Sequence, residues 1–303
     1  MFGSFSGLLK PCYVFAPATL VRRIYLHFSW PNSDKATVEL PWGMKIAVNL
    51  RDLIGREIFK QRIFDLAVSE CAWRLLSPGD HVIDAGANIG YMTMLFAARV
   101  GHNGLVHSFE PHPRVRSMLE QNVEQISQTP GAARTIIYPL ALGSSPGKAE
   151  LIETGFFSIN EGTAKIASAE TIADKVTGYP VELQTLDGMF PDGSFALLKI
   201  DVEGFEGEVL RGANALLSSQ RVRHVIYEDH TLGQSGLGEI LSDYGYTVFS
   251  IGHSALGLRL LRGSEGFAEI DASWESASFL ATVAPDQVMT LMKSKGWSVL
   301  RGT

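Results

Sequence analysis

Apolar positions recur along this chain with two different periods, and the places where one period yields to the other predict the fold. From Ala36 to Asn49, Val38, Leu40, Ile46 and Val48 alternate with polar residues around Pro41-Trp42-Gly43, the pattern of a β-hairpin. From Ile54 to Leu76 the spacing becomes helical, with apolar residues at Ile58, Ile63, Leu66, Ala67, Cys71 and Leu75, and Ser77-Pro78-Gly79 closes the run. Short apolar runs near 81–85, 105–110, 135–142, 195–201, 223–229, 246–251 and 278–284 then read as strands, with helical patterns between most of them. Alternation of this kind predicts an α/β fold with a doubly wound, mostly parallel seven-stranded sheet over residues 77–303. A hairpin-plus-helix α+β appendage, residues 1–76, precedes it. Residues 143–190 form an insertion too long for a plain connection. Within it Lys148 to Ile152 and Val181 to Leu186 read as extra strands, and Gly155 to Gly178 as a polar, mobile stretch suited to a lid or substrate loop.

Chemistry enters at the end of the first core strand. Val82-Ile83 runs into Asp84, then into the turn Gly86-Ala87-Asn88-Ile89-Gly90, and a helical pattern follows from Tyr91 to Val100. The next strand, Leu105 to Phe109, ends in Glu110, 20 residues beyond Gly90. That spacing makes a βαβ unit whose second strand carries an acid at its tip, placed to accept the hydroxyls of a ribose. Gly86 and Gly90 are expected to let the backbone approach a ligand closely. A dinucleotide site wants a glycine where this chain has Asn88, so a pyrophosphate is disfavoured. Asp84 suits an ammonium group. A ligand with a ribose, an ammonium and a carboxylate but no phosphate is S-adenosylmethionine; a capping role for Asp84 in the turn is the structural alternative.

A second block, Ala196 to Glu206, reads as a buried strand Ala196-Leu197-Leu198-Lys199-Ile200 running into the acidic turn Asp201-Val202-Glu203-Gly204, with a helix from about Glu206 to Leu217. With this block in place the chain resembles the FkbM family of S-adenosylmethionine-dependent methyltransferases. The stretches that carry the resemblance are IDAGANIGYMT, HSFEPHP, LALGSSPGKAEL, LQTLDGMF, LLKIDVEGFEGEVLRGA and VIYEDH, in that order over roughly residues 60–230. The resemblance implies a class I methyltransferase, Rossmann-like sheet in which the strand ending at Asp84 neighbours the one ending at Asp201. It implies a cofactor side made of Asp84, Gly86, Asn88, Gly90, Glu110, Pro111, Leu142 and Asp201, with backbone around Leu140 to Leu142 bordering the adenine. Two departures stand out: Phe64-Asp65 occupies the place of a Tyr-Glu pair, and Pro139-Leu140 replaces an asparagine before the third-strand Ala-Leu.

Methyl transfer from a sulfonium is an in-line displacement, so the protein must align acceptor, carbon and sulfur and exclude water. An alcohol is a weak nucleophile at neutral pH and needs a base or a metal. Asp201, Glu203 and His230 are the catalytic candidates, with Glu206, Glu228 and Asp229 beside them and Lys199 placed to hold an acceptor or a carboxylate. Asp201 is expected nearest the transferring methyl. Glu203 is expected on the opposite side, if the strand continues. His102, His107 and His112 lack metal-ligand spacing and are expected at the surface or behind the site; no metal is expected. The acceptor class is a small-molecule hydroxyl on a sugar, glycolipid or polyketide. Amine or carboxyl methylation, a nicotinamide oxidoreductase and a binding-only protein are the alternatives.

Composition narrows this picture only at its margins. The 303 residues carry a net charge of −6 and no basic block, which argues against a nucleic-acid partner. Cys12 and Cys71 stand apart, as free thiols do in a reducing compartment. No apolar run is long enough to span a membrane and no signal peptide is evident, so a cytoplasmic protein is expected. Residues 1–35, aromatic and apolar with Arg22-Arg23, either lie on a membrane or partner or, as the favoured reading, pack on the chain's own core.

Overall fold

The computed structural model describes residues 17–154, 164–166, 175–231, 233–254, 257–262 and 277–302. Helix α1 (Pro17–Phe28) opens on a proline, whose missing N–H is harmless in a first turn. It precedes the antiparallel hairpin of β1 (Lys35–Glu39) and β2 (Lys45–Asn49), where buried Val38 and Ile46 face each other across the ladder. The single helix expected over Ile54–Leu76 is two, α2 (Leu53–Gln61) and α3 (Leu66–Leu75). The break is local. Arg62 (φ 61°) and Asp65 (φ 38°) take left-handed backbone, and the Asp65 carboxylate caps α3 by accepting from the Val68 N–H.

The core then runs β3 (His81–Ala85), α4 (Tyr91–Val100), β4 (Leu105–Phe109), α5 (Pro113–Ser127) and β5 (Arg134–Tyr138). It continues through β6 (Ala141–Leu142), β7 (Gly147–Thr154), β8 (Lys165–Ile166), β9 (Lys175–Gln184) and α6 (Leu186–Met189). Next come β10 (Phe195–Ile200), α7 (Glu206–Arg211), α8 (Asn214–Ser218), β11 (Val222–Asp229) and α9 (Leu237–Asp243). The described core ends with β12 (Thr247–Ser254), β13 (Gly257–Arg262), β14 (Ala277–Thr282) and α10 (Pro285–Leu291).

Among the described residues the main sheet has eight strands in the order β13-β12-β14-β11-β10-β3-β4-β5, rather than the expected seven. The extra strand, β13, forms a hairpin with β12 at the sheet edge. The pairs from β11 through β5 are parallel and those from β11 outward to β13 are antiparallel, so the sheet is mixed, with its parallel part where the ligand crevice belongs. The strand expected at 135–142 divides at Pro139, which has no N–H for a ladder. β5 stays in the main sheet, while β6 joins a second, four-stranded sheet, β6-β9-β7-β8, built largely from the insertion. Most of Gly155–Gly178 lies outside the described residues; β8 and the start of β9 are the parts described.

Both faces of the main sheet are covered. On one, a single apolar cluster runs from Val38 and Ile46 of the hairpin through Trp73 and Leu95 to Val299, so the N-terminal elements share a core with the sheet. On the other, Ile83, Leu198, Leu210, Leu216 and Phe279 pack together. The C-terminal segment is held by charge. Arg74 donates to the carbonyls of Ser294 (2.7 Å) and Gly296 (2.8 Å), while Glu70 accepts from the Ser298 (2.9 Å) and Val299 (2.8 Å) amides.

Candidate functional site

The β3–α4 turn is fixed by backbone. Amides of Gly86 and Ala87 donate to the Phe109 carbonyl at 3.0 and 2.9 Å, which hangs the turn on the tip of β4. The close approaches at the two glycines are made by the protein itself, not left for a ligand. A Cβ on Gly86 would lie 1.8 Å from the Asp201 carbonyl oxygen, and one on Gly90 2.7 Å from Leu119 Cδ1. Asn88 sits in left-handed backbone (φ 50°), and its own side chain accepts from the Ile89 amide (2.7 Å), the local bond that makes this conformation tolerable for asparagine. Its amide donates to Glu110 Oε2 (3.0 Å), and the His112 amide donates to Oε1 (2.9 Å). Glu110 is thereby held at the strand tip with a lone pair on each oxygen still open. Burial raises its carboxyl to about 7, against the pull of those two amides. Pro111 follows, its carbonyl accepting from Arg116 (3.1 Å), and Leu142 is buried in β6 beside Gln184 of β9.

Beneath the turn lies a buried charge relay. Asp84 is fully buried, and burial raises its carboxyl even though Lys199 and Thr93 favour the charged form. Thr93 Oγ1 donates to Asp84 Oδ2 at 2.6 Å, while Asp84 Oδ1 has no hydrogen-bond partner and stands 3.8 Å from Lys199 Nζ. Lys199 donates to Asp201 Oδ2 (3.0 Å) and to the Gly86 carbonyl (3.3 Å), so one ammonium joins both strand-end acids to the glycine turn. The registers Lys199↔Asp84 and Ile200↔Ala85 put those ends side by side, the strand adjacency that the resemblance implied. Burial alone would raise Asp201, but Lys199 and a hydrogen bond shared with Glu228 outweigh it and hold the carboxyl below its usual value.

Glu203 is not on the opposite side from Asp201. The strand stops at Ile200, and Glu203 (φ 56°) and Gly204 (φ 94°) turn the chain back. Glu203 Oε2 comes to 3.9 Å from His230 Nε2, which also lies 3.8 Å from Glu228 Oε2. Burial, then the neighbouring Asp201, push Glu203 up to about 7. Two other acids are committed to loops. Glu206 accepts from the Val202 (3.2 Å) and Gly204 (3.1 Å) amides, and Asp229 accepts from the Thr231 amide (2.8 Å), Thr231 Oγ1 and Ser235 Oγ. Among the described residues no cluster of three or more acids, histidines or cysteines is arranged to hold a metal.

The insertion is pinned to the cofactor side by His112. Its Nδ1 accepts from the Arg114 and Val115 amides (3.3 and 3.4 Å) and caps α5, which leaves Nε2 to donate to Glu153 Oε1 of β7 at 3.0 Å. Tyr179 of β9 donates to the same oxygen (3.2 Å). His112 and His107 are therefore buried, not superficial; His107 packs among Tyr138, Phe190 and Phe195. Reading the sequence missed Thr93, Glu153 and Lys165, whose charge reaches Glu203 from β8. Only Thr93 left a signal, a polar residue in the otherwise apolar opening of α4.

Known proteins resemble this chain in sequence. Residues 84–248 match the model of the methyltransferase FkbM domain. The chain is 33% identical over 240 residues to 31-O-demethyl-FK506 methyltransferase FkbM of Streptomyces tacrolimicus, covering 70% of this chain and 89% of that relative. It is 30% identical over 175 residues to hexuronic acid methyltransferase AglP of Haloferax volcanii, covering 56% of this chain and 65% of the relative. A solved FkbM methyltransferase from Methylobacillus flagellatus superimposes with a TM-score of 0.44 at 15% identity, covering 69% of this chain and 47% of that one.

Proposed function

The chain belongs to the FkbM methyltransferase family, and we propose that it moves the methyl group of S-adenosylmethionine onto a hydroxyl oxygen of a small molecule, a sugar, glycolipid or polyketide. S-adenosylmethionine is the cofactor of this family and supplies, when bound, an electrophilic methyl on a sulfonium with a neutral leaving group. The residues present fit it. Glu110 offers two open lone pairs to ribose hydroxyls, and Asn88, rather than glycine, fills the place a pyrophosphate would need. Asp84 is buried below the turn, so its part is to set Lys199 and the Gly86 backbone instead of touching the ligand.

The acceptor side carries the reading of an oxygen acceptor. A hydroxyl must lose its proton as it attacks, and Glu203 beside His230 is the group suited to take it: a carboxylate raised to about 7, at a turn beside the cofactor strands. Asp201, engaged by Lys199 and held low, is a poorer base and orients the acceptor instead. This exchanges the roles that the sequence suggested for the two acids. Support for an oxygen acceptor also comes from the relatives, since one is named for a 31-O position.

The test is release of S-adenosylhomocysteine over a panel of sugars, uronic acids, glycolipids and polyketide alcohols, with amines and simple carboxylates as controls. Turnover confined to amines or carboxylates would overturn the oxygen assignment. Calorimetry showing no binding of S-adenosylmethionine would remove the cofactor.

A further inference from the structure

The N-terminal helix does not bury its apolar residues in the way favoured by the sequence. On α1, Val21, Ile24, Tyr25 and Phe28 fall at i, i+3, i+4 and i+7, one continuous stripe, and they are 67, 54, 63 and 83% exposed. The helix is anchored by a different face. Leu26 is buried, and the Arg22 guanidinium lies over the Phe59 ring and donates to the Phe59 carbonyl at 2.9 Å. Trp30, also exposed, sits edge-on to Phe59 and extends the aromatic patch. Among the described residues, the only large exposed apolar side chains outside this stretch are Leu53 and Met289. A helix held on one side by its own fold, with a whole apolar stripe turned to solvent, presents a docking face.

We propose that this face rests on an anionic lipid surface, the helix axis lying in the plane of the headgroups. Charge and composition select that occupant. Residues 1–33 contain Lys10, Arg22 and Arg23 and no acid, in a chain whose net charge is −6. The longest acid-free stretch of the chain, cationic through Lys10 and Arg23 beside the Phe59-bound Arg22, therefore coincides with the exposed stripe, a pairing that a negatively charged interface recognises. Tyr25, Phe28 and Trp30 suit the boundary between headgroup and acyl chain, and residues 1–16 continue the composition with Phe2, Phe5, Tyr13 and Phe15. A second copy is the poorer occupant. A two-fold contact through α1 sets one acid-free cationic segment against another. The helix is too short to span a bilayer, and no helix among the described residues is long and apolar enough to do so.

The experiment is flotation of the full chain with vesicles of phosphatidylcholine alone and of phosphatidylcholine with phosphatidylglycerol, with light scattering on the same samples. Wild-type protein is expected to float with the anionic vesicles at least about tenfold more than with neutral ones. The Ile24→Ser/Phe28→Ser variant should lose that binding at least about tenfold, with an unchanged melting temperature because both residues are exposed. Three results would overturn the proposal: no flotation of the wild type, equal flotation of wild type and variant, or a concentration-dependent dimer abolished by the variant while vesicles stay unbound. None of these measurements depends on methyl transfer, so they stand apart from the proposed function.

Discussion

Around Glu110 the polar groups answer backbone: two amides hold the carboxylate, two more hang the glycine turn on β4, and Asn88 closes on its own neighbour. Around Glu203 the contacts run from one side chain to another, and His230 stands at almost 4 Å from each of two carboxyl groups. Backbone bonds are set once the strands pair. Side-chain charges instead retain freedom to respond to a substrate or a proton. The cofactor half is thus held by backbone and the acceptor half by side chains, and substitutions should separate the two.

The largest effect is expected from Glu203→Gln, which keeps shape and removes the base. A general base contributes about 10²–10⁴-fold, so kcat should fall by that range while S-adenosylmethionine affinity stays within about threefold. Wild-type kcat, with S-adenosylmethionine saturating so that Glu110 is already engaged, should rise with pH through about 7, where Glu203 becomes charged, and this limb should vanish in the variant. Asp201→Asn should leave the limb in place. If instead Asp201→Asn abolishes it, Asp201 is the base and the comparison has been drawn the wrong way round.

Lys199→Met strikes the joint between the halves. It leaves Asp84 and Asp201 facing one another without their shared cation, and removing one partner of a buried ion pair costs about 3–5 kcal/mol. Because the Asp201 side chain is 40% exposed, the loss should fall at the low end of that range, carried by buried Asp84. Denaturant unfolding should show a loss of that size, and adding Asp84→Asn should recover part of it, since the buried charge is then gone. Additive losses would mean that the ammonium does not couple the two acids.

The legibility of the two halves differs for the same physical reason. Backbone-built features announce themselves in local sequence: the strand, turn and helix around Gly86 and the acid at the tip of β4 lie where the spacing put them. So do the hairpin and β7 of the insertion, whereas β9 runs from Lys175 to Gln184 and Leu186, expected to end that strand, opens α6. The side of the chain on which Glu203 falls was not legible, because it depends on where β10 stops and on two residues of left-handed backbone. Glu153 and Lys165 were missed because they reach the site through a second sheet that no local pattern specifies. β13 escaped as a short edge strand, and α1 was misjudged because amphipathicity does not reveal which face the fold will cover.

On the cofactor side Glu110→Gln should weaken S-adenosylmethionine binding about tenfold or more by calorimetry, since a hydrogen bond to a charged group contributes about 1.5–3 kcal/mol. The same variant tests the pH behaviour of the free protein. Glu110 is raised in the folded state from 4.5 to about 7, so the native form holds its proton more tightly than the unfolded chain does. Its contribution to stability is therefore fully present below the unfolded value and is lost as pH rises towards 7. The amide of glutamine can satisfy only one of the two backbone N–H groups, so the variant carries a constant loss, and from pH 4 to pH 8 the stability difference should shift by about 1–3 kcal/mol in the variant's favour. A difference that does not change with pH would show that Glu110 is not strained by its burial.

The smallest effect should come from the contact that ties the second sheet to the cofactor half. His112 caps α5 beside Glu110 and donates to Glu153 on the insertion, so the second sheet is held to the cofactor half through one imidazole. Glu153→Gln keeps an acceptor for both His112 and Tyr179 but weakens bonds to a charged oxygen, a change of about 1 kcal/mol. Amide exchange in β7 and β9 should then quicken about fivefold, while β3 and β10 stay protected. Acid should do the same to the wild type. Burial lowers the His112 imidazole, and a protonated Nδ1 cannot accept from the Arg114 and Val115 amides, so the cap's contribution is fully present above the ordinary histidine value and is lost as pH falls through the lowered value of the folded state. If β7 and β9 exchange at the same rate in both proteins and at both pH values, the apolar cluster of Ala141, Leu151 and Val181 holds the insertion without the latch. The second sheet would then be mechanically separate from the cofactor half beside it.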